Sequence, residues 1–72
     1  MEIVVMFNSG SYQVSRTIMA AKPTGEQIKE IFEKNETYSA GNYWMIVQTP
    51  TISNRYRREN GEIVMYMEHP TY

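Results

Sequence analysis

The fold of this chain is decided by residues 43–47, which read YWMIV and carry an apolar side chain at every position. Residues 3–7 (IVVMF) and 63–67 (IVMYM) show the same uninterrupted pattern. A β-strand with one face in water alternates apolar and polar residues, whereas an uninterrupted run is typical of a strand that is covered on both faces. We therefore predict three strands whose two faces are both apolar.

A single segment of the chain predicts a helix. Thr24 followed by Gln27 matches a capping box, in which the hydroxyl and the amide satisfy free backbone donors at a helix start. The helix is expected to continue to about Lys34. The apolar residues that share one helix face at this spacing are Ile28, Ile31 and Phe32.

The rest of the chain predicts strands and turns. Residues 12–20 alternate and predict a half-buried strand. Its apolar face, interrupted by Arg16, carries Tyr12, Val14, Ile18 and Ala20, and its more polar face carries Gln13, Ser15, Thr17 and Met19. The predicted strands are 2–8, 12–20, 43–48, 52–58 and 62–67, with a polar loop at 36–42 and a short tail at 68–72. The chain is thus expected to be a single α+β domain, residues 1–72. Its order is ββαβββ, with an antiparallel sheet of four to five strands and one helix on one face.

The predicted helix is too short to cover all of the apolar sheet surface. Strand 43–48 presents Trp44 and Ile46 to one side, where Val64 and Tyr66 would join them if the strands are neighbours. Such a surface belongs in a core formed by curling of the sheet, in a homodimer or against a partner. For Trp44 the core and the interface are equally good interpretations.

The dipeptide Asn60-Gly61 predicts the register of the last hairpin, because both residues tolerate the positive φ angles of a type I′ turn. The expected cross-strand pairs are Glu59–Glu62, Arg58–Ile63, Arg57–Val64, Tyr56–Met65 and Arg55–Tyr66. This register places Arg55 and Arg57 on one face with Tyr66, and Arg58 on the other. The arginines can bind an acidic partner or phosphates, or can simply keep an exposed hairpin soluble and protect a sheet edge.

Composition argues against several kinds of chemistry. The chain has 72 residues, a net charge of −1, no cysteine, one histidine and no aspartate. It therefore lacks disulfides and thiolate ligands, and we predict no metal site and no cofactor. His69 is expected in an exposed tail without a nucleophile near it, so we predict that the protein is not an enzyme and has no catalytic residues.

The N-terminal sequence lacks the basic region and the long apolar core of a signal peptide. No apolar run approaches the roughly 20 residues of a membrane-spanning helix. The protein is expected to be cytoplasmic without membrane association.

In size, lack of cysteine and order of elements the chain resembles small inhibitor proteins of phages and mobile elements, such as anti-CRISPR proteins and phage inhibitors of host polymerase. The resemblance implies a phage-encoded viral inhibitor that blocks a host protein or nucleoprotein machine in the host cytoplasm. It rests on no residue motif and therefore assigns no site residues.

The resulting hypothesis is a non-enzymatic protein-binding module. The expected anchors are Trp44, Ile46 and Tyr66, because aromatic and large apolar residues dominate interface cores. Orientation and electrostatic steering are assigned to Arg55, Arg57 and Arg58. The alternative is a small nucleic-acid-binding protein that uses the same arginines with Tyr56 and Tyr66.

Overall fold

The computed structural model of the chain describes residues 2–36 and 42–70. The elements are β1 (Ile3–Ser9), β2 (Tyr12–Met19), α1 (Gly25–Asn35), β3 (Tyr43–Gln48), β4 (Ile52–Glu59) and β5 (Glu62–Pro70). The five strands form one antiparallel sheet in the order β2-β1-β3-β4-β5. The predicted α+β class, with an antiparallel sheet and α1 after the second strand, is confirmed. Most of the predicted loop, residues 37–41, lies outside the described residues, as do residues 71–72 of the predicted tail.

The helix packs on one side of the sheet, which we call the covered face. Phe32 of α1 meets Phe7 of β1 edge to face, with 4.9 Å between ring centroids. The buried apolar residues of this face are Ile3, Val5, Phe7, Ile28, Phe32, Met45 and Val47. They alternate along β1 and β3, as expected for strands whose side chains point to opposite faces of the sheet.

The predicted capping box of α1 is confirmed. The Thr24 hydroxyl oxygen accepts a hydrogen bond from the Gln27 amide at 3.2 Å, and the Gln27 side-chain oxygen accepts one from the Thr24 amide at 2.9 Å. The helix ends where the Glu36 amide donates to the Phe32 carbonyl at 2.8 Å. The start of the helix is therefore set by local hydrogen bonds between two residues, Thr24 and Gln27, whose spacing in the sequence predicts them.

The turn between β4 and β5 also lies where it is predicted. Asn60 has a φ angle of 52° and Gly61 one of 82°, so both occupy the left-handed region. The register next to the turn matches the prediction for the pairs from Glu59–Glu62 to Tyr56–Met65. The last predicted pair is wrong, because Arg55 lies opposite Met67 and Tyr66 forms a β-bulge. Residues 63–67 are all apolar, so no alternation in the sequence marks the extra residue.

Two further expectations about the strands are wrong. Residues 68–70, predicted as tail, continue β5 and pair with the start of β4. Pro70 is tolerated there because β5 is an edge strand. The apolar face predicted for β2 is exposed, with 54% of Ile18 accessible to solvent. Strand β2 forms the other edge of the sheet, and Met19, from its predicted polar face, packs on the core instead.

Candidate functional site

The side of the sheet opposite α1 is here called the open face. Directly opposed residues of antiparallel strands lie on the same face, so the register identifies its members. Its apolar and cationic members are Val4, Met6, Arg16, Ile18, Trp44, Ile46, Arg55, Arg57, Val64 and Met67, with the bulge residue Tyr66. The one helix within residues 2–36 and 42–70 packs on the other side. The open face is therefore an uncovered surface of mixed apolar and cationic character.

A row of side chains crosses the middle of the open face. Arg16 opposes Met6, Met6 opposes Ile46, and Ile46 opposes Arg55. Met6, Ile46 and Arg55 are half-buried, whereas Arg16 is exposed. Since adjacent strands lie about 5 Å apart, this row places two arginines about 15 Å apart with an apolar centre between them.

Trp44 lies in the next row of the open face, opposite Arg57. Its indole Nε1 donates a hydrogen bond to the Gly10 carbonyl at 2.8 Å, which ties the ring to the β1–β2 turn. The Cζ atom of Arg55 lies 5.3 Å from the centroid of the indole ring. A guanidinium in this position is attracted by the ring electrons, and the contact holds both side chains in place.

Arg57 makes a similar contact on the same open face, toward the neighbouring strand β5. Its Cζ atom lies 4.7 Å from the centroid of the Tyr66 ring. Its Nε donates to a carboxylate oxygen of Glu59 at 3.1 Å, and both side chains of this pair are about half exposed (53% and 51%). The guanidinium is therefore oriented from two sides while its terminal nitrogens remain near solvent.

The two arginine–aromatic pairs border a shallow cleft of about 250 Å³, which we call the arginine cleft. Its lining residues are Asn42, Tyr43, Trp44, Arg55, Arg57 and Tyr66. Within the described part of the chain, no carboxylate forms an ion pair with Arg55. The cleft therefore presents at least one guanidinium that is oriented by an aromatic ring and not neutralised by a neighbour.

Arg58 lies on the covered side, away from the other five predicted site residues. It binds Glu36 through two hydrogen bonds, Nη2 to Oε1 at 2.7 Å and Nε to Oε2 at 3.0 Å. It also donates to the Gly61 carbonyl at 3.0 Å, and its Cζ atom lies 5.9 Å from the centroid of the Phe32 ring. Hydrogen bonding to Glu36 raises the pKa of Arg58. The structure thus gives Arg58 contacts that tie the last hairpin to the end of α1.

A second concavity, of about 360 Å³, lies between α1 and the β4–β5 hairpin. Tyr56 and Met65 contribute to its lining, and burial raises the pKa of the Tyr56 phenol above its ordinary value of 10.0. The two cations at its rim already face carboxylates, since Arg58 binds Glu36 and the Lys29 ammonium lies 4.0 Å from Glu33. This groove offers apolar contact without an unpaired cation, in contrast to the arginine cleft.

Sequence reasoning missed several members of the open face. Val4 and Met6 belong to an apolar run that predicts a strand with two apolar faces, but the run does not indicate which other strands lie beside them. The pairing of β1 with β3 joins residues far apart in the sequence, and no local pattern indicates it. Without that pairing, Arg16 could not be placed in a row with Ile46 and Arg55.

The only histidine lies opposite Ser53 near the end of β5. No hydrogen bond joins the His69 and Ser53 side chains in the part of the chain that the structure describes. Over residues 2–36 and 42–70, no three carboxylate or imidazole side chains are grouped closely enough to hold a metal ion. The arrangement of the open face is suited to binding through apolar contact and arginine hydrogen bonds.

Comparison of the chain with protein-family models, with curated protein sequences and with solved structures found no match. None of the described helices has the length and apolar character needed to cross a membrane.

Proposed function

We propose that this chain is a non-enzymatic protein-binding module that binds its partner through the open face. The observation that carries the proposal is the arginine cleft beside the apolar row. Trp44 and Tyr66 are each contacted by an arginine on a face that α1 does not cover. Aromatic residues and arginine are the types that contribute most to protein interfaces, and charged side chains oriented in advance lose less entropy on binding.

Five residues of the open face have distinct roles in this proposal. Ile46 and Trp44 supply apolar contact at the centre, since they are only half-buried in the isolated chain. Tyr66 extends that contact toward β5. Arg55 and Arg57 orient the partner and accelerate encounter with a negatively charged surface. Arg58 supports the hairpin and takes no direct part in binding.

A protein is a better partner than a nucleic acid for this surface. Arginines contact the Trp44 and Tyr66 rings, whereas base stacking needs a free aromatic face. Glu59 pairs with Arg57 at the end of the same face, so the face has no continuous row of free cations along which a phosphate backbone could lie. The net charge of −1 also supplies no general attraction to a polyanion.

The proposal extends to inhibition by occupation of a surface, as in the small phage inhibitors that the chain resembles. The partner is then a component of a host protein or nucleoprotein machine in the cytoplasm. A face-to-face homodimer is the less favourable arrangement, because two copies of a face with three arginines would bring like charges together.

The test compares capture of partner proteins by variants on the two faces of the sheet. Ile46→Glu places a charge in the apolar row, and Met65→Glu is the matched control, since Met65 is 51% exposed on the other side. Immobilised wild-type protein and both variants are incubated with a lysate of the source cells, or of the host for a phage gene. Bound proteins are then identified by mass spectrometry.

We expect proteins that are captured by the wild type and by Met65→Glu and are lost with Ile46→Glu, both before and after nuclease treatment. Capture that Ile46→Glu leaves unchanged would contradict the proposal. Loss of all capture after nuclease treatment would favour the nucleic-acid alternative, for which affinity should fall linearly with salt on logarithmic axes. Sedimentation of the wild type alone reports whether the partner is a second copy.

A further inference from the structure

We infer that the arginine cleft recognises protein carboxylates, and that the partner segment is extended, with acidic residues at alternate positions. This inference rests on the proposed function, because it names the chemistry of the partner at the same face. It starts from the two guanidinium groups of the arginine cleft, each of which lies beside an aromatic ring of the open face. Arg57 also pairs with Glu59, whereas Arg55 has no ion-pair partner in the described part of the chain.

The geometry of the cleft favours a planar anion. Arg55 and Arg57 lie within cation–π distance of Trp44 and Tyr66. An arginine held by an aromatic ring still presents N–H groups at the edge of its plane, and this fork matches the two oxygens of a carboxylate. Only Nε of Arg57 is directed to Glu59, so the remaining donors of both arginines can face an incoming acid.

The spacing of the arginines indicates how the carboxylates are presented. Arg55 and Arg57 are alternate residues of β4 and lie on the same face, so their Cα atoms are about 7 Å apart. Alternate residues of an extended peptide have the same spacing, and their side chains point the same way. A segment with the pattern acidic–any–acidic can therefore place one carboxylate at each arginine. Apolar residues that flank the acids would then reach Ile46 and the rest of the apolar row.

The test uses the heptapeptide Leu-Thr-Glu-Thr-Glu-Thr-Leu with blocked ends as its probe. One control peptide has both Glu replaced by Gln, and a second has the two Glu adjacent with the same composition. Binding to the intact protein is followed by nuclear magnetic resonance. The reporters are the side-chain Nε–Hε signals of the arginines and the indole N–H signal of Trp44.

We expect the Glu peptide to shift the signals of Arg55, Arg57 and Trp44, and the Gln peptide to bind at least about tenfold more weakly, since charged hydrogen bonds are the stronger kind. Arg55→Gln should weaken binding of the Glu peptide about tenfold. Lys34→Gln removes the same charge from α1, on the covered side of the sheet, and should change affinity less than about twofold. The adjacent-Glu peptide should bind more weakly than the alternating one.

Equal binding of the Glu and Gln peptides, or no shift at millimolar peptide, would overturn the inference. Tighter binding of an oligothymidylate than of the Glu peptide would also overturn it, in favour of phosphate. The proposed function has a separate readout, since Ile46→Glu can abolish partner capture even if carboxylates are not recognised. Peptide binding with unchanged capture by Ile46→Glu would instead reject the proposed function alone.

Discussion

The two faces of β3 carry similar side chains and have different surroundings. Met45 and Val47 point to the covered face and are 0% exposed. Trp44 and Ile46 point to the open face and are half-buried. An uninterrupted apolar run therefore indicates that both faces of a strand are apolar. It does not show that the chain itself covers both faces.

The two faces of the sheet also differ in the surroundings of the arginines of β4. Arg57 and Arg58 are adjacent in sequence and point to opposite faces. Arg58 is bound by Glu36 and Gly61 on the covered side, whereas Arg57 lies over Tyr66 on the open face. Position relative to the helix, rather than residue type, therefore separates a structural arginine from a candidate binding arginine.

The largest difference between the faces is expected for aromatic truncations. Phe32→Ala should cost about 3–5 kcal/mol, because it leaves a cavity beside Phe7 in the core. Tyr66→Ala on the open face should cost much less, since its ring is half-buried against Arg57 and no helix packs on it. Chemical denaturation of both variants measures this difference. Equal losses would show that the open face contributes to stability as a second core.

The turn at Asn60-Gly61 decides which arginines reach which face. Gly61→Val should cost on the order of 1–3 kcal/mol, since a β-branched residue is strained at the φ angle of 82°. Gly61→Asn is the matched control, because asparagine tolerates the left-handed region and should cost less. Thermal unfolding followed by circular dichroism compares the two. A melting temperature that Gly61→Val does not change would show that the turn does not control the register.

A smaller effect is expected at the start of the helix that covers one face. Thr24→Ala should cost about 1 kcal/mol, because it removes the hydroxyl that accepts from Gln27. Thr24→Asp should be nearly neutral, since a carboxylate accepts the same hydrogen bond. Urea titrations can resolve this difference. Identical midpoints for the two variants would mean that the capping box does not support the helix.

The smallest predicted effect separates the two adjacent arginines. Arg58→Ala should lower stability by about 0.5–1 kcal/mol, as its ion pair with Glu36 is partly screened by solvent. Arg57→Ala should change stability less, because the Arg57–Glu59 pair is more exposed. Melting temperatures of the two variants give the comparison. A larger loss for Arg57→Ala would place the structural arginine on the open face.

Local signals in the sequence were sufficient for much of the fold. The Thr24–Gln27 capping box and the Asn60-Gly61 turn each depend on interactions within a few residues, and both lie where they were predicted. The same turn correctly assigned Arg57 and Arg58 to opposite faces. Helix caps and tight turns, which depend on residues close together in the sequence, can therefore be predicted before any tertiary contact is known.

The features that the sequence did not reveal depend on distant contacts. The pairing of β1 with β3 places Met6 beside Ile46, and this choice reflects the packing of the whole sheet. The bulge at Tyr66 lies in a segment where every residue is apolar, so no alternation marks it. The grouping of Trp44 with Arg55 in one cleft follows from the register of β3 and β4, which a motif search cannot supply.

The central claim is that α1 covers one face of the sheet and that the other face is available for binding. The most direct test places the same charge at two adjacent residues of β3 and records circular dichroism spectra and thermal unfolding. Val47→Glu should unfold the protein, because it buries an unpaired carboxylate in the core. Ile46→Glu should stay folded, since the new carboxylate would lie on the open face opposite Arg55. Unfolding of both variants would contradict the claim, because Ile46 would then belong to a second core.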